Sequence, residues 1–120
     1  MNIWHRLLLR GLRQYIPEGS SVLALEVGAS NALGPKHKVT AVLTSDALLL
    51  ATPLRGKTVL VRIFRADIRS VEPVEPAVAT VSFDDYARAI RRDVQLDLSR
   101  HGDREGIIEQ LRVAPREQWA

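Results

Sequence analysis

The chain has 120 residues, 46% of them hydrophobic, a formal net charge of +3 and no cysteine. This length suits one domain with a single core, and the lack of cysteine excludes disulfides, thiol catalysis and cysteine-bound metals. Residues 1–17 carry three arginines and no acid, whereas the remaining chain holds 14 basic and 14 acidic residues, so we expect no concentrated cationic face for nucleic acid.

Residues 2–15 are predicted to form an amphipathic helix, which Pro17 and Gly19 terminate. The candidate interaction residues of this helix are the apolar ones in or beside its stripe: Ile3, Trp4, Leu7, Leu8 and Leu12. Arginines interrupt the apolar run, which stays below the roughly 20 residues of a membrane span. We therefore expect a cytoplasmic protein, and attachment to the inner face of the membrane stays open.

Seven runs within residues 21–98 predict β-strands, because most of them alternate apolar and polar residues with a period of two. The runs are residues 21–29, 39–43, 48–52, 59–64, 68–71, 79–83 and 94–98. The second and third lie so close in sequence that only an antiparallel hairpin can join them. Residues 53–56 predict a turn, and residues 84–92 predict a long polar connection. Pro73 and Pro76 confine the fifth strand to a sheet edge or a strand end.

The last element is predicted to be a helix from Asp103 to Val113, with Asp103 as its N-cap because a carboxylate accepts bonds from the free amides of a helix start. Its apolar stripe is Ile107, Ile108 and Leu111, and its water-facing residues are Glu105, Glu109 and Arg112. Residues 115–120 follow as a tail. These elements predict a mainly β (α+β) fold: a seven-stranded antiparallel bent sheet or barrel, capped by the C-terminal helix, with an extra N-terminal helix.

Three segments carry a family resemblance, and they occur in a set order. Residues 16–23 contain a Glu-Gly pair before the first strand, residues 42–50 contain Leu-Thr-x-x-x-Leu-Leu-Leu, and residues 65–71 contain Asp-Ile-x-Ser-Val. With these segments the chain resembles the bacterial, GRAM-like form of the pleckstrin-homology (PH) superfold over most of residues 18–113. The resemblance implies an interaction module.

No residue pattern indicates catalysis. His5, His37 and His101 lie far apart without metal-ligand spacing, and no glycine-rich phosphate motif occurs. We therefore predict no catalytic residue, no metal and no cofactor. With an N-terminal helix at 1–17 and a PH-like domain at 18–114, the chain is expected to be a protein-interaction or oligomerisation module, either a monomer or a homo-oligomer. The alternative is a peripheral membrane domain that recognises anionic lipid head groups.

The resemblance also implies that the loops after the first, third and sixth strands meet at one rim, where eukaryotic family members bind phosphoinositide head groups. These loops supply the candidate anion- or lipid-binding residues Lys36, His37, Lys38, Arg55, Lys57, Arg91 and Arg92, with Arg88 beside them. Arginine forks and lysines attract phosphate, but no Arg-x-Arg follows Lys36 or Lys38 as it does in the eukaryotic pattern. An anion site and a solvated rim both stay open, as do lipid contact and protein packing for the N-terminal helix.

Overall fold

The computed structural model describes residues 3–75, 78–98 and 106–113. Within these ranges the elements, in chain order, are α1 (Ile3–Leu12), β1 (Val22–Ser30), β2 (His37–Thr44), β3 (Ala47–Leu54), β4 (Lys57–Phe64), β5 (Ile68–Glu75), β6 (Val78–Asp85), β7 (Ile90–Asp97) and α2 (Ile107–Val113). Single-turn 3₁₀ helices occupy Arg13–Tyr15, directly after α1, and Arg65–Asp67, between β4 and β5. The seven predicted strands and the two predicted helices are therefore all present.

All seven strands belong to one antiparallel sheet in the order β4-β3-β2-β1-β7-β6-β5. β1 pairs with β2 along most of its length, but it meets β7 only at Ala29–Asp97 and Ser30–Leu96. The sheet bends at this short junction, and its two halves, β1–β4 and β5–β7, enclose the main core. A Cβ on Gly28 would lie 2.2 Å from the Asp97 carbonyl oxygen, so only glycine lets the two strands approach this closely.

The main core combines buried side chains from both halves of the sheet with those of α2. Ile107, Ile108 and Leu111 are all buried there, as their spacing predicted, and full burial of such a side chain stabilises the fold by about 1.5–3 kcal/mol. The helix begins where the carboxylate of Glu26, on β1, accepts a hydrogen bond from the Ile107 N–H. Glu109 is exposed, as expected. Outside the described residues lie Asp103, Glu105, the side chain of Arg112 and the tail at 115–120.

The long connection predicted at 84–92 is wrong, because β6 and β7 continue through most of this segment and leave residues 86–89 as the turn. Oppositely charged side chains pair between the two strands where the sequence lacks apolar alternation. Asp84 lies directly opposite Arg91, whereas Asp85 reaches Arg92 diagonally. The ion pairs are Asp84–Arg91, at 3.2 Å, and Asp85–Arg92, at 3.5 Å. Cross-strand charge pairs stabilise a hairpin as apolar pairs do, and a pattern of alternating apolar residues does not indicate them.

Proline interrupts the strands less than the sequence predicted. The turn expected at 53–56 covers only residues 55–56, because β3 includes Pro53. β2 pairs with β3 only as far as Ala51, so no neighbouring strand needs the N–H that Pro53 lacks. β5 also extends beyond its predicted end and includes Pro73. Its position at the edge of the sheet agrees with the prediction.

Candidate interaction surface

A second apolar cluster lies on the outer face of the β1–β4 half, opposite the main core. Its buried members are Leu25, Val42, Ala47 and Leu49. Leu12, at the end of α1, and Ile16, after the 3₁₀ helix, pack against this cluster. Arg62 of β4 also donates a hydrogen bond from Nη2 to the Tyr15 carbonyl oxygen at 3.0 Å. The C-terminal end of α1 and the segment after it are therefore fixed on the outer face of the sheet.

The opposite side of α1 presents apolar and cationic residues to water. Ile3 and Leu7, one helical turn apart, are 69% and 52% exposed. Arg6 and Arg10 are also exposed, and they share this side because residues three and four positions apart lie on one face of a helix. These four residues are named the α1 face below.

The five predicted interaction residues thus separate into distinct groups. Ile3 and Leu7 belong to the exposed α1 face, whereas Leu12 is half-buried against the sheet. The side chains of Trp4 and Leu8 lie outside the described part of the structure. The apolar residues of this helix therefore lie on two of its faces. One face attaches the helix to the sheet, and the opposite face is accessible to solvent.

The three loops of the predicted rim lie together at one end of the sheet. Antiparallel pairing places the β1–β2 loop, residues 31–36, and the β3–β4 turn at one end of the first half of the sheet. Two hydrogen bonds then join the β1–β2 loop to β7. The Gln95 N–H donates to Asn31 Oδ1 at 2.8 Å, and Arg92 Nη2 donates to the Ala32 carbonyl oxygen at 2.6 Å. These contacts bring the β6–β7 hairpin next to the β1–β2 loop.

Most of the predicted cations on the β6–β7 hairpin, and Lys36 on the neighbouring β1–β2 loop, form ion pairs with carboxylates. The pairs are Arg91 Nε with Asp84 at 3.2 Å, Arg88 Nε with Asp85 at 3.8 Å, and Lys36 Nζ with Asp97 at 3.5 Å. Arg92 is the most enclosed, with 19% of its side chain exposed. It bonds to Asp85 and Ala32, and its guanidinium lies 5.7 Å from the centroid of the Phe83 ring. Its donors therefore serve the fold of the hairpin.

Asp84 connects three strands through two arginines. It accepts hydrogen bonds from Arg69 Nε, on β5, at 2.5 Å and from Arg91 Nε, on β7, at 3.2 Å. The hydrogen bond from Arg69 is the main cause that holds the pKa of Asp84 below its ordinary value, and the same bond holds the pKa of Arg69 above its own. Arg69 could not be predicted from the sequence, because no local pattern connects it with Asp84.

A basic part of the rim belongs to the β1–β4 half. Lys38, Arg55 and Lys57 are exposed, and no carboxylate of the described residues lies within ion-pair distance of them. His37 Nδ1 lies 2.9 Å from the Pro35 carbonyl oxygen. The predicted anion-binding lysines and arginines therefore fall into an ion-paired group, on the β6–β7 hairpin and at Lys36, and a group beside the β3–β4 turn that has no carboxylate partner among the described residues.

Metal ligands and membrane-spanning helices are both absent from the described residues. No three histidine, aspartate or glutamate side chains come together there as ligands for a metal ion. None of the helices in those ranges has the length and apolar character that crossing a membrane requires.

Solved structures with the same fold include PH domains of exchange factors for Rho. The DH/PH domains of PDZ-RhoGEF, in complex with GTP-γ-S activated RhoA, match with a TM-score of 0.61 and 7% identity, over 85% of this chain and 31% of that chain. The DH/PH domains of p115-RhoGEF match with a TM-score of 0.57 and 11% identity, over 87% of this chain and 34% of that one. The C-terminal domain of an unknown protein from Leishmania infantum matches at 0.54 and 13% identity, over 80% and 84%.

These likenesses establish the fold alone. The chain spans about a third of the length of the RhoGEF chains that it matches. No protein-family model matches the sequence, and no curated protein does. The fold is PH-like, with a seven-stranded antiparallel sheet, a short C-terminal helix and a small N-terminal helix. The bacterial, GRAM-like subtype stays a prediction.

Proposed function

We propose that this PH-like chain is a non-catalytic cytoplasmic module that binds a protein partner through the α1 face. The packing of α1 carries the proposal: its C-terminal end is attached to the outer face of the sheet, while Ile3 and Leu7 stay exposed. Exposed apolar side chains grouped on one face are typical of interaction sites. Arginine beside apolar anchors is also the composition found at the centres of protein interfaces.

Charge favours a partner other than a second copy of the chain. Residues 1–17 contain Arg6, Arg10 and Arg13 and no acid. A symmetric contact between two α1 faces would bring these like charges together. A protein with an apolar groove and an acidic rim would complement both properties of the face. PDZ-RhoGEF, whose DH/PH domains are known in complex with activated RhoA, is a precedent for a protein complex in a chain with this fold.

The test compares serine substitutions at two equally exposed apolar positions. Leu7 is 52% exposed on α1, and Ile90 is 51% exposed on the other half of the sheet. The tagged wild type, Leu7→Ser and Ile90→Ser are each incubated with native cytosol, and the bound proteins are quantified by mass spectrometry. We expect a partner that wild type and Ile90→Ser retain and Leu7→Ser loses. A partner set that is unchanged by Leu7→Ser would refute the proposal.

The cationic surface favours a second candidate, which is binding to an anionic membrane. Arg6 and Arg10 on the α1 face and the uncompensated cations of the rim, Lys38, Arg55 and Lys57, support it. A basic amphipathic helix can lie in the head-group region of such a membrane. Co-sedimentation then requires phosphatidylserine in the vesicles and decreases with added salt. Failure to sediment with phosphatidylserine vesicles at low salt would eliminate this candidate.

A further inference from the structure

The two edges of the sheet differ in how well they are protected. β5 forms one edge and carries Pro73 and two register shifts, which are features that block pairing with another strand. β4 forms the other edge, contains no proline and pairs with β3 over its 8 residues without a shift. No strand in the described part of the chain pairs with the outer side of β4. β4 is therefore an open edge.

One hydrogen bond shows which residues of β4 direct their backbone groups to the open side. The Arg65 N–H donates to the Asp46 carbonyl oxygen at 2.9 Å, in the same register as the β3–β4 pairs. Successive residues of an antiparallel strand direct their N–H and C=O groups to alternate sides. The odd-numbered residues of β4 therefore direct their backbone N–H and C=O groups to β3. Thr58, Leu60, Arg62 and Phe64 present their backbone donors and acceptors to the open edge.

The surroundings of this edge are basic. Residues 47–66 contain Arg55, Lys57, Arg62 and Arg65 and no acid. The first three are exposed, and Arg65 is buried. A second copy of β4 would bring the same cations against each other, whereas an acidic strand would be attracted. From the open edge and its charge we propose that β4 binds an extended acidic segment of a partner protein as an additional strand of the sheet.

The two faces of the sheet define the side chains that such a segment needs. The side chain of Ile63 belongs to the main core and that of Leu60 packs on the outer cluster. The side chains of odd-numbered β4 residues therefore point to the inner face of the sheet, and those of even-numbered residues point to the outer face. An added strand meets the partly buried Val61 on the inner face and Arg62 on the outer face. Backbone hydrogen bonds supply the affinity and alternate side chains supply the selectivity. The ligand is therefore an extended peptide with alternating apolar and acidic residues.

No residue of this edge belongs to the α1 face, and the edge variants below leave the bond from Arg62 to the Tyr15 carbonyl oxygen intact, so the two proposals can fail independently. The probe is a fluorescein-labelled octapeptide of alternating valine and glutamate, and fluorescence anisotropy measures its binding to the full chain. Thr58→Pro removes an N–H that faces away from β3, and the ring obstructs the open edge. Thr58→Val keeps that N–H and is the matched control. Leu7→Ser is expected to bind the peptide as the wild type does.

We expect Thr58→Pro to weaken peptide binding about tenfold or more, because backbone bonds are lost, and Thr58→Val to leave it unchanged. Lys57→Glu should weaken binding of the valine–glutamate peptide and strengthen binding of a valine–lysine peptide, because Lys57 is exposed on β4. This arm decides the outcome if Thr58→Pro unfolds the chain. The proposal is overturned if wild type fails to bind the valine–glutamate peptide or binds both peptides equally. A wild-type dimer that Thr58→Pro converts to a monomer would assign the edge to a second copy and also overturn it.

Discussion

A buried carboxylate on β1 holds the start of the last helix across 81 residues of sequence: Glu26 accepts a hydrogen bond from the backbone N–H of Ile107. Glu26 is 7% exposed and lies on the inner side of the sheet, beside the core that α2 completes. The first amides of a helix have no partner within the helix. The side chain of Glu26 therefore ties the position of α2 to the first strand, in addition to the apolar packing of the helix.

We expect Glu26→Leu to lower the free energy of unfolding by about 1–3 kcal/mol, because the buried helix amide loses its acceptor. Glu26→Gln keeps an oxygen that can accept this bond, and its loss should be smaller. Urea denaturation followed by circular dichroism measures both variants. If Glu26→Leu is as stable as the wild type, the hydrogen bond does not contribute to holding α2.

The bend of the sheet depends on the absence of a side chain at Gly28. A Cβ there would lie 2.2 Å from the Asp97 carbonyl oxygen and 2.8 Å from Leu98 Cδ2. We expect Gly28→Ala to lower the free energy of unfolding by about 1–3 kcal/mol or more, because the β1–β7 junction must open. Thermal denaturation measures the change.

Gly11→Ala is the matched control for this prediction. Gly11 lies in α1, and a Cβ added to it would have no atom of a neighbouring residue within 4 Å among the described residues. Since alanine favours a helix over glycine, this variant should be more stable by up to about 1 kcal/mol. If Gly28→Ala leaves the free energy of unfolding unchanged while Gly11→Ala raises it, the β1–β7 junction can accommodate a side chain and the prediction is wrong.

Acid should weaken the link between β5, β6 and β7 through Asp84. The hydrogen bond from Arg69 is the largest cause that holds the pKa of Asp84 below its ordinary value, so the ionised form is favoured in the folded chain. The contribution of Asp84 to stability is therefore complete above the ordinary aspartate pKa. It is lost as the pH falls through the lower pKa of the folded state.

Asp84→Asn removes this ionisation and tests its pH dependence. We expect the stability difference between wild type and Asp84→Asn to be constant near neutral pH and to shrink as the pH falls below the ordinary aspartate pKa. Urea denaturation at a series of pH values measures the difference, and Arg69→Gln should reduce its pH dependence. A difference that grows on acidification would contradict the direction of the pKa shift.

Much of the fold could be predicted from the sequence because its signals are local. Apolar runs, most of them alternating with polar residues, located all seven strands, and the helical spacing of Ile107, Ile108 and Leu111 predicted their burial. The hairpin at residues 84–92 was missed because its strands pair through charges. Its partners become visible only when Asp84 and Arg91 are placed opposite each other.

The candidate site was harder to predict because it depends on contacts between distant residues. The sequence indicated the apolar stripe of α1, but only the structure shows that Leu12 packs on the outer face of the sheet while Leu7 stays exposed. The cations of the rim look equivalent in sequence. The fold gives Lys36 a carboxylate partner and leaves Lys57 without one among the described residues.

The two neighbouring arginines of β7 should differ sharply when each is replaced by alanine. Arg92 bonds to the Ala32 carbonyl oxygen and to Asp85 and lies over the ring of Phe83. Its loss should lower the free energy of unfolding by about 1–2 kcal/mol, because a mostly buried carbonyl loses its donor and the ring loses its cation. Arg91→Ala removes an exposed ion pair, so its cost should stay within about 1 kcal/mol. Chemical denaturation of both variants measures the two free energies of unfolding. If Arg91→Ala is less stable than Arg92→Ala, the bond from Arg92 to Ala32 does not stabilise the contact between the β1–β2 loop and β7.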